Sequence, residues 1–216
     1  MICDIYIKTH ERDAPYHVEC MRSIDKYCTG FRKTVVVHGE HPRGYLAQQS
    51  SKMHADQHTD ADFILVTDSD TLFTCPITPE TYMVGDKSIW LHTPFDTAMR
   101  EDKNVKCWID VMWEFFGHEP KHEMMRRQPF MVPAWALKAL REFCVERHGQ
   151  SLHDYIMSKR AFTEWNVLGM FMWEHFHDRI HWIDTTKDEL PELTVRQFWS
   201  WDDIGKNREE IERILA

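Results

Sequence analysis

Apolar and polar positions along this chain change period in a fixed order, from two to about 3.6 and back, and that order is the signature of an α/β protein. Residues 3–7 alternate as in a strand, before Lys8-Thr9-His10 closes it. Beyond Pro15, the positions Val18, Met21, Ile24 and Cys28 recur at helical spacing up to Gly30. A β-branched run over 34–37 predicts a second strand, 38–44 a turn-rich loop, 45–58 a polar helix, and the apolar run 63–66 a third strand. Strands alternating with helices imply a mostly parallel central sheet flanked by helices, with ligands beyond the carboxyl ends of its strands. Thr9 and the pair Asp68/Asp70 would then line one cleft.

Farther along, 88–92 predicts another strand, 107–116 a helix ended by Gly117, and 134–148 an amphipathic helix stopped by Gly149. Helices are expected over 151–158 and 163–176, a short strand over 180–184 and a closing helix over 206–215. The segment 117–133, rich in Pro, His and Met, reads as the longest loop. Helical spacing puts Trp113 and Trp173 in the core, whereas Trp199 and Trp201 flank Ser200 and are placed at the cleft entrance.

Composition narrows the picture. With 216 residues, 43% of them hydrophobic, the chain suits one α/β domain over 1–216. A net charge of -9 disfavours sequence-independent binding to nucleic acid, leaving Arg126-Arg127 as a local basic patch. The six cysteines are scattered without C-x-x-C and read as reduced core residues. No apolar run is long enough for a membrane span and no secretory leader precedes the first strand, so a cytoplasmic location is expected.

The candidate chemistry centres on Asp68-Ser69-Asp70, where a buried strand should emerge into solvent. In extended backbone, positions i and i+2 point the same way, so both carboxylates can face one ion. Hard oxygen ligands suit Mg²⁺ or Mn²⁺, and such an ion commonly takes one or two carboxylates together with substrate phosphates. The plain alternative is an acidic turn that caps the strand. His118-Glu119-Pro120-Lys121-His122 formally matches the zinc-hydrolase pattern H-E-x-x-H, but Gly117 before it and Pro120 inside it oppose the helix that pattern needs.

The run F-I-L-V-T-D-S-D-T-L-F resembles that of GT-A type glycosyltransferases, and D-I-Y-I-K-T, the Ser-Ile-Asp-Lys-Tyr helix, F-T-E-W-N-V-L-G-M-F and R-Q-F-W-S-W resemble bacterial and phage members of that group. The resemblance implies a single GT-A-like (Rossmann-like) domain, nucleotide-binding over about 1–95 and acceptor-binding over about 96–216. It implies transfer of a sugar from a nucleotide-diphosphate donor, a UDP-sugar above all, to an acceptor hydroxyl on a glycan, a small molecule or a hydroxylated DNA base. Asp68 and Asp70 would hold Mn²⁺ or Mg²⁺, Thr9 and Asp13 would sit by the base or ribose, and Lys52 would reach the ribose or phosphate. Glu164 would be the acceptor-side base, its plain alternative being a helix-capping acid. Among His175, His177 and His181, the last is favoured as a further metal ligand, with Asp202 as a rival. The remaining alternatives are a non-catalytic module that binds the nucleotide diphosphate, and the zinc hydrolase built on His118 and His122.

Overall fold

β1 (Cys3–Thr9) is buried along its whole length, and the rest of the molecule is laid out around it. The computed structural model describes residues 1–39, 44–126, 128–199 and 201–216. After β1 come α1 (Ala14–Tyr27), β2 (Thr34–His38), α2 (Gly44–Lys52), β3 (Phe63–Asp68), β4 (Thr71–Phe73), β5 (Met83–Val84) and β6 (Lys87–Pro94). The second half adds α3 (Phe95–Glu101), α4 (Lys106–Phe116), β7 (His122–Glu123), β8 (Phe130–Pro133), α5 (Ala134–His148), α6 (Leu152–Ser158) and α7 (Glu164–His175). β9 (His181–Asp184), β10 (Val195–Gln197) and α8 (Ile204–Leu215) complete it.

The central sheet has the order β2-β1-β3-β8. Ile5 stands opposite Thr34 on one side and Leu65 on the other, in parallel pairing, while β8 runs antiparallel to β3 with Phe130 opposite Val66. Alternation in β1 therefore separates two buried faces rather than a wet and a dry one. Tyr6 joins Ile64, Val66 and Val132 under α5 and α7, whereas Ile5 and Ile7 join Leu65 and Met131 under α1. The polar members of β1 are satisfied inside: Asp4 accepts from Arg32 through Nε at 3.0 Å and Nη2 at 2.7 Å. A second set of strands flanks the sheet, with β6 pairing β5 and β7 antiparallel and β9 parallel, and a β4–β10 ribbon lies beside α1 and α8.

Several expectations change on this frame. The helix expected over 45–58 stops at Lys52 and gives way to a 3-10 turn at Ala55–Gln57. The segment 117–133 contains β7 and β8, the latter a core strand whose brevity and closing Pro133 hid it. Gly117, with φ +75°, caps α4 in the left-handed region as its position after the helix predicts. Trp113 is 53% exposed rather than buried, and Cys107 is exposed while Cys3, Cys20 and Cys144 are buried. Residues 40–43 of the turn-rich loop, Arg127 of the basic pair, and Ser200 lie outside the described residues. Among the described residues no helix is long and apolar enough to cross a membrane.

Candidate functional site

Asp68 ends β3 at only 9% exposure, so its charge must be answered locally. The answer comes from α2. Gln48 and Lys52 are four residues apart and share a helix face; Lys52 Nζ lies 2.6 Å from Asp68 Oδ1, and Gln48 Nε2 lies 3.4 Å from the same oxygen. Lys52 also reaches Glu164 Oε1, at 3.0 Å, and Gln49 donates to Glu164 Oε2 at 2.7 Å. On the other side of Asp68, Oδ2 accepts from Gln128 Nε2 at 2.6 Å and from Gln197 Nε2 at 3.4 Å. Burial pushes the Asp68 carboxyl up, but the Lys52 ammonium and the hydrogen bonds of Lys52 and Gln128 outweigh it and hold the group below the usual carboxylate range. Burial likewise opposes the Lys52 ammonium, and the two carboxylates overcome it, so the lysine is held charged well above its ordinary range.

Beyond the strand end, the backbone carbonyl of Asp70 accepts from Phe198 N at 2.8 Å, which ties the acidic loop to the segment after β10. Ser69 Oγ donates to Asp13 Oδ2 at 3.2 Å. Asp13 and Gln48 in turn line a cavity of about 330 Å³ at the carboxyl ends of β1 and β2, together with Lys8, Thr9, His38 and Ser51. Gln48 and Asp13 thus tie the wall of this cavity to the acidic loop through hydrogen bonds. The Thr9 hydroxyl is buried with no hydrogen-bond partner among the described residues, and burial draws the Lys8 ammonium below its ordinary range. A polar group entering the cavity would satisfy both.

Of the residues singled out in the sequence, Thr9 and Asp13 line this cavity, Lys52 pairs with Asp68 beside it, and Asp70 follows two residues later in the same loop. Glu164 is close by but is not an open base: it is 2% exposed and both oxygens are engaged, by Lys52 and Gln49. His181 stands opposite Ile89 in β9, two residues after Arg179, which with Asp178 lines a cavity beside Ala61, Asp62 and Phe63 at the amino end of β3. It is not brought to Asp68. His175 packs against Phe143 and Phe171, His177 against Trp173 and Trp182, and Asp202 accepts from the Tyr16 hydroxyl through its backbone. The H-E-x-x-H fragment is not helical: His122 pairs into β7 opposite Pro94, its Nδ1 lies 3.2 Å from that of His92, and His118 faces Glu174. The zinc-hydrolase geometry is absent from it. Gln49, Gln128 and Gln197 escape sequence reasoning because long-range folding brings them to the acids. Gln48, one helical turn before Lys52, carried a readable signal.

Among the described residues no group of three or more His, Cys, Asp and Glu side chains is arranged to hold a metal ion. Both Asp68 oxygens already meet donors, Lys52 and Gln48 at Oδ1 and Gln128 and Gln197 at Oδ2, so a hard cation at Asp68 would have to displace one of them and draw most of its oxygens from a diphosphate and water.

No protein-family model matches the chain, and no curated protein matches it in sequence. Solved structures do match. The galactosyltransferase LgtC, solved in complex with donor and acceptor sugar analogs, is 12% identical over 98% of this chain and 95% of its own, with a TM-score of 0.54. The chain has a GT-A-like fold. The apo-form glycosyltransferase GlyE of Streptococcus pneumoniae TIGR4 also aligns, at 9% identity over 100% of this chain and 60% of its own, with a TM-score of 0.48.

Proposed function

We propose that this chain is a glycosyltransferase that takes its sugar from a nucleoside-diphosphate donor, with UDP as the first nucleotide to test. The observation that carries the reading is the link between cavity and acidic loop: Gln48 and Asp13 line the cavity over β1 and β2 and are at the same time hydrogen-bonded to Asp68 and Ser69. A nucleoside in the cavity, meeting the Thr9 hydroxyl and Asp13, would lay its diphosphate over that loop. The GT-A-like fold supports the same orientation. Asp68 and Asp70 would hold a Mn²⁺ or Mg²⁺ ion, which when bound neutralises charge on the diphosphate. Lys52 adds a fixed ammonium beside Asp68, preorganised because it pairs with Glu164, whose other oxygen is held by Gln49. Glu164 is in this reading a positioning residue. Lys8 supplies a second cation at the cavity wall.

The test is a thermal-shift panel of nucleoside diphosphates with and without Mn²⁺ or Mg²⁺, followed by mass spectrometry of nucleotide-sugar mixtures. A stabilising response to one diphosphate is expected, because a ligand selective for the folded state raises its apparent stability. Turnover of the corresponding donor is expected to fall about 10²-fold or more in Asp70→Asn, with the melting temperature nearly unchanged. Undiminished turnover in that variant would remove the acid pair from the mechanism, and diphosphate binding without turnover of any sugar donor would make the chain a binding module.

A further inference from the structure

A cation already sits on Asp68, and it belongs to the protein. Lys52 Nζ lies 2.6 Å from Oδ1, and Gln48, which lines the cavity over β1 and β2, reaches the same oxygen at 3.4 Å. The four donors around Asp68 differ in what each would lose by leaving. The amides of Gln48 and Gln197 hold on only at 3.4 Å, so little depends on them. Gln128 donates to Oδ2 at 2.6 Å, and its amide has no other hydrogen bond among the described residues. Lys52 has a second anchor. It is paired at the same time with Glu164 Oε1 at 3.0 Å, and its Nζ lies 5.7 Å from the centre of the Trp165 ring. Gln49 fixes the other oxygen of Glu164 at 2.7 Å, so this anchor stays in place when Lys52 lets go of Asp68.

A divalent ion arriving alone meets two obstacles here. The side chains of Lys52 and Asp68 are only 5% and 12% exposed, so repulsion between the ion and the ammonium is poorly screened. The return for displacing Lys52 is also small, because no group of three or more His, Cys, Asp and Glu side chains among the described residues is arranged to hold a metal ion. A diphosphate removes both obstacles. It brings oxygens that the protein does not supply, and its negative charge offsets the two cations standing side by side.

Resting on the glycosyltransferase reading, we propose that Lys52 is a built-in competitor of the divalent ion at Asp68, so that the site takes the ion only together with a diphosphate. Lys52 holds Asp68 Oδ1 until a diphosphate is present and then retires onto Glu164, leaving that oxygen to the ion. The ammonium stays beside the site, since Glu164 keeps it there. Lys52 is thus the residue that selects the metal–diphosphate complex over the free metal.

The test is Mn²⁺ binding to the full chain by electron paramagnetic resonance, with the ion alone and with UDP, CDP, GDP or ADP, corrected for the complex each nucleotide forms with Mn²⁺ in solution. One nucleotide is expected to tighten Mn²⁺ binding by about tenfold or more. Lys52→Gln is expected to tighten binding of Mn²⁺ alone about tenfold and to bring the ratio of affinities with and without that nucleotide below about threefold. Adding Asp68→Asn to Lys52→Gln is expected to remove the gain. Where Lys52→Gln does not fold, Lys52→Gln/Glu164→Gln, which also removes the orphaned carboxylate charge, takes its place with the same expectation for the ratio. A ratio near one in the unaltered chain, a ratio that survives the loss of Lys52, or a gain that survives Asp68→Asn overturns the competition and leaves the donor reading intact. Failure of every nucleotide to bind, with or without Mn²⁺, overturns the glycosyltransferase reading and the competition with it.

Discussion

Lys52 shows how much a single side chain carries here. It is 4% exposed and stands between two carboxylates that are themselves buried, Asp68 and Glu164. Removing one member of such a group leaves uncompensated charge in the interior, which costs about 3–5 kcal/mol. Lys52→Met is therefore expected to lower the melting temperature by about 10 °C, at roughly 2–4 °C per kcal/mol for a chain of this size. The double variant Lys52→Met/Glu164→Gln is expected to recover part of that loss, because one orphaned charge is gone, and a thermal-denaturation cycle measures the coupling. Strict additivity of the two single changes would mean that the pair is not coupled. At this scale the sequence was legible where chemistry is local: two aspartates at i and i+2 after an apolar run, and a lysine closing the preceding helix. It was silent on Glu164 as the partner of Lys52, since 112 residues separate them and only tertiary folding brings them together.

At the scale of elements, α7 approaches β6 more closely than helix propensity alone would choose. A Cβ built on Gly169 would come 2.9 Å from Met124 Cβ and 3.2 Å from the Trp90 ring. Alanine is favoured over glycine inside a helix by about 1 kcal/mol, but overpacking a filled core costs about 1–3 kcal/mol. The clash involves a Cβ, which cannot swing aside, so the second effect wins. Gly169→Ala is expected to destabilise by about 1–2 kcal/mol in urea denaturation, and a stabilised variant would show that the helix has room. The same contrast governs what the pattern disclosed. Long periodic segments such as α1, α4 and α5, and the β-branched run of β2, were readable because burial imposes one period on many residues. β4, β8 and β10 were not, because strands of three or four residues carry too few alternations to stand out, and β8 lies in a segment whose Pro and His content reads as loop. His181 was placed on its strand correctly, yet a strand's place in the sequence says nothing of which end of the sheet it serves.

For the whole molecule, the decisive long-range quantity is proton uptake. Burial holds the imidazoles of His17, His54, His92, His122 and His148 below their ordinary range, and His122, with His92 beside it as a second cause, is pushed down to about 4. As pH falls through 6.5 the unfolded chain takes up protons that the folded chain refuses, so stability falls with pH until the folded imidazoles titrate, near 4 for His122. Glu123 works the other way, since burial raises its carboxyl and the folded state takes its proton first, but it is one group against five. The net charge of -9 also moves toward zero on acidification, which relieves repulsion among surface charges. That relief is screened over about 8 Å at physiological salt, whereas the imidazoles are desolvated in place. One pKa unit corresponds to about 1.4 kcal/mol; discounting heavily for partial exposure still leaves about 1 kcal/mol between pH 7.5 and 5. A fall in melting temperature of at least about 2–4 °C over that interval at 0.15 M salt is therefore expected, with a shallower slope in His122→Gln. Below about pH 4 a second loss begins as Asp4, Asp68 and Asp184, all held below the usual carboxylate range, take up protons and give up Arg32, Lys52 and Lys187. A melting temperature that stays level or rises from pH 7.5 to 5 would mean that the buried imidazoles are wetter than their packing against Trp173, Phe115 and Tyr155 implies.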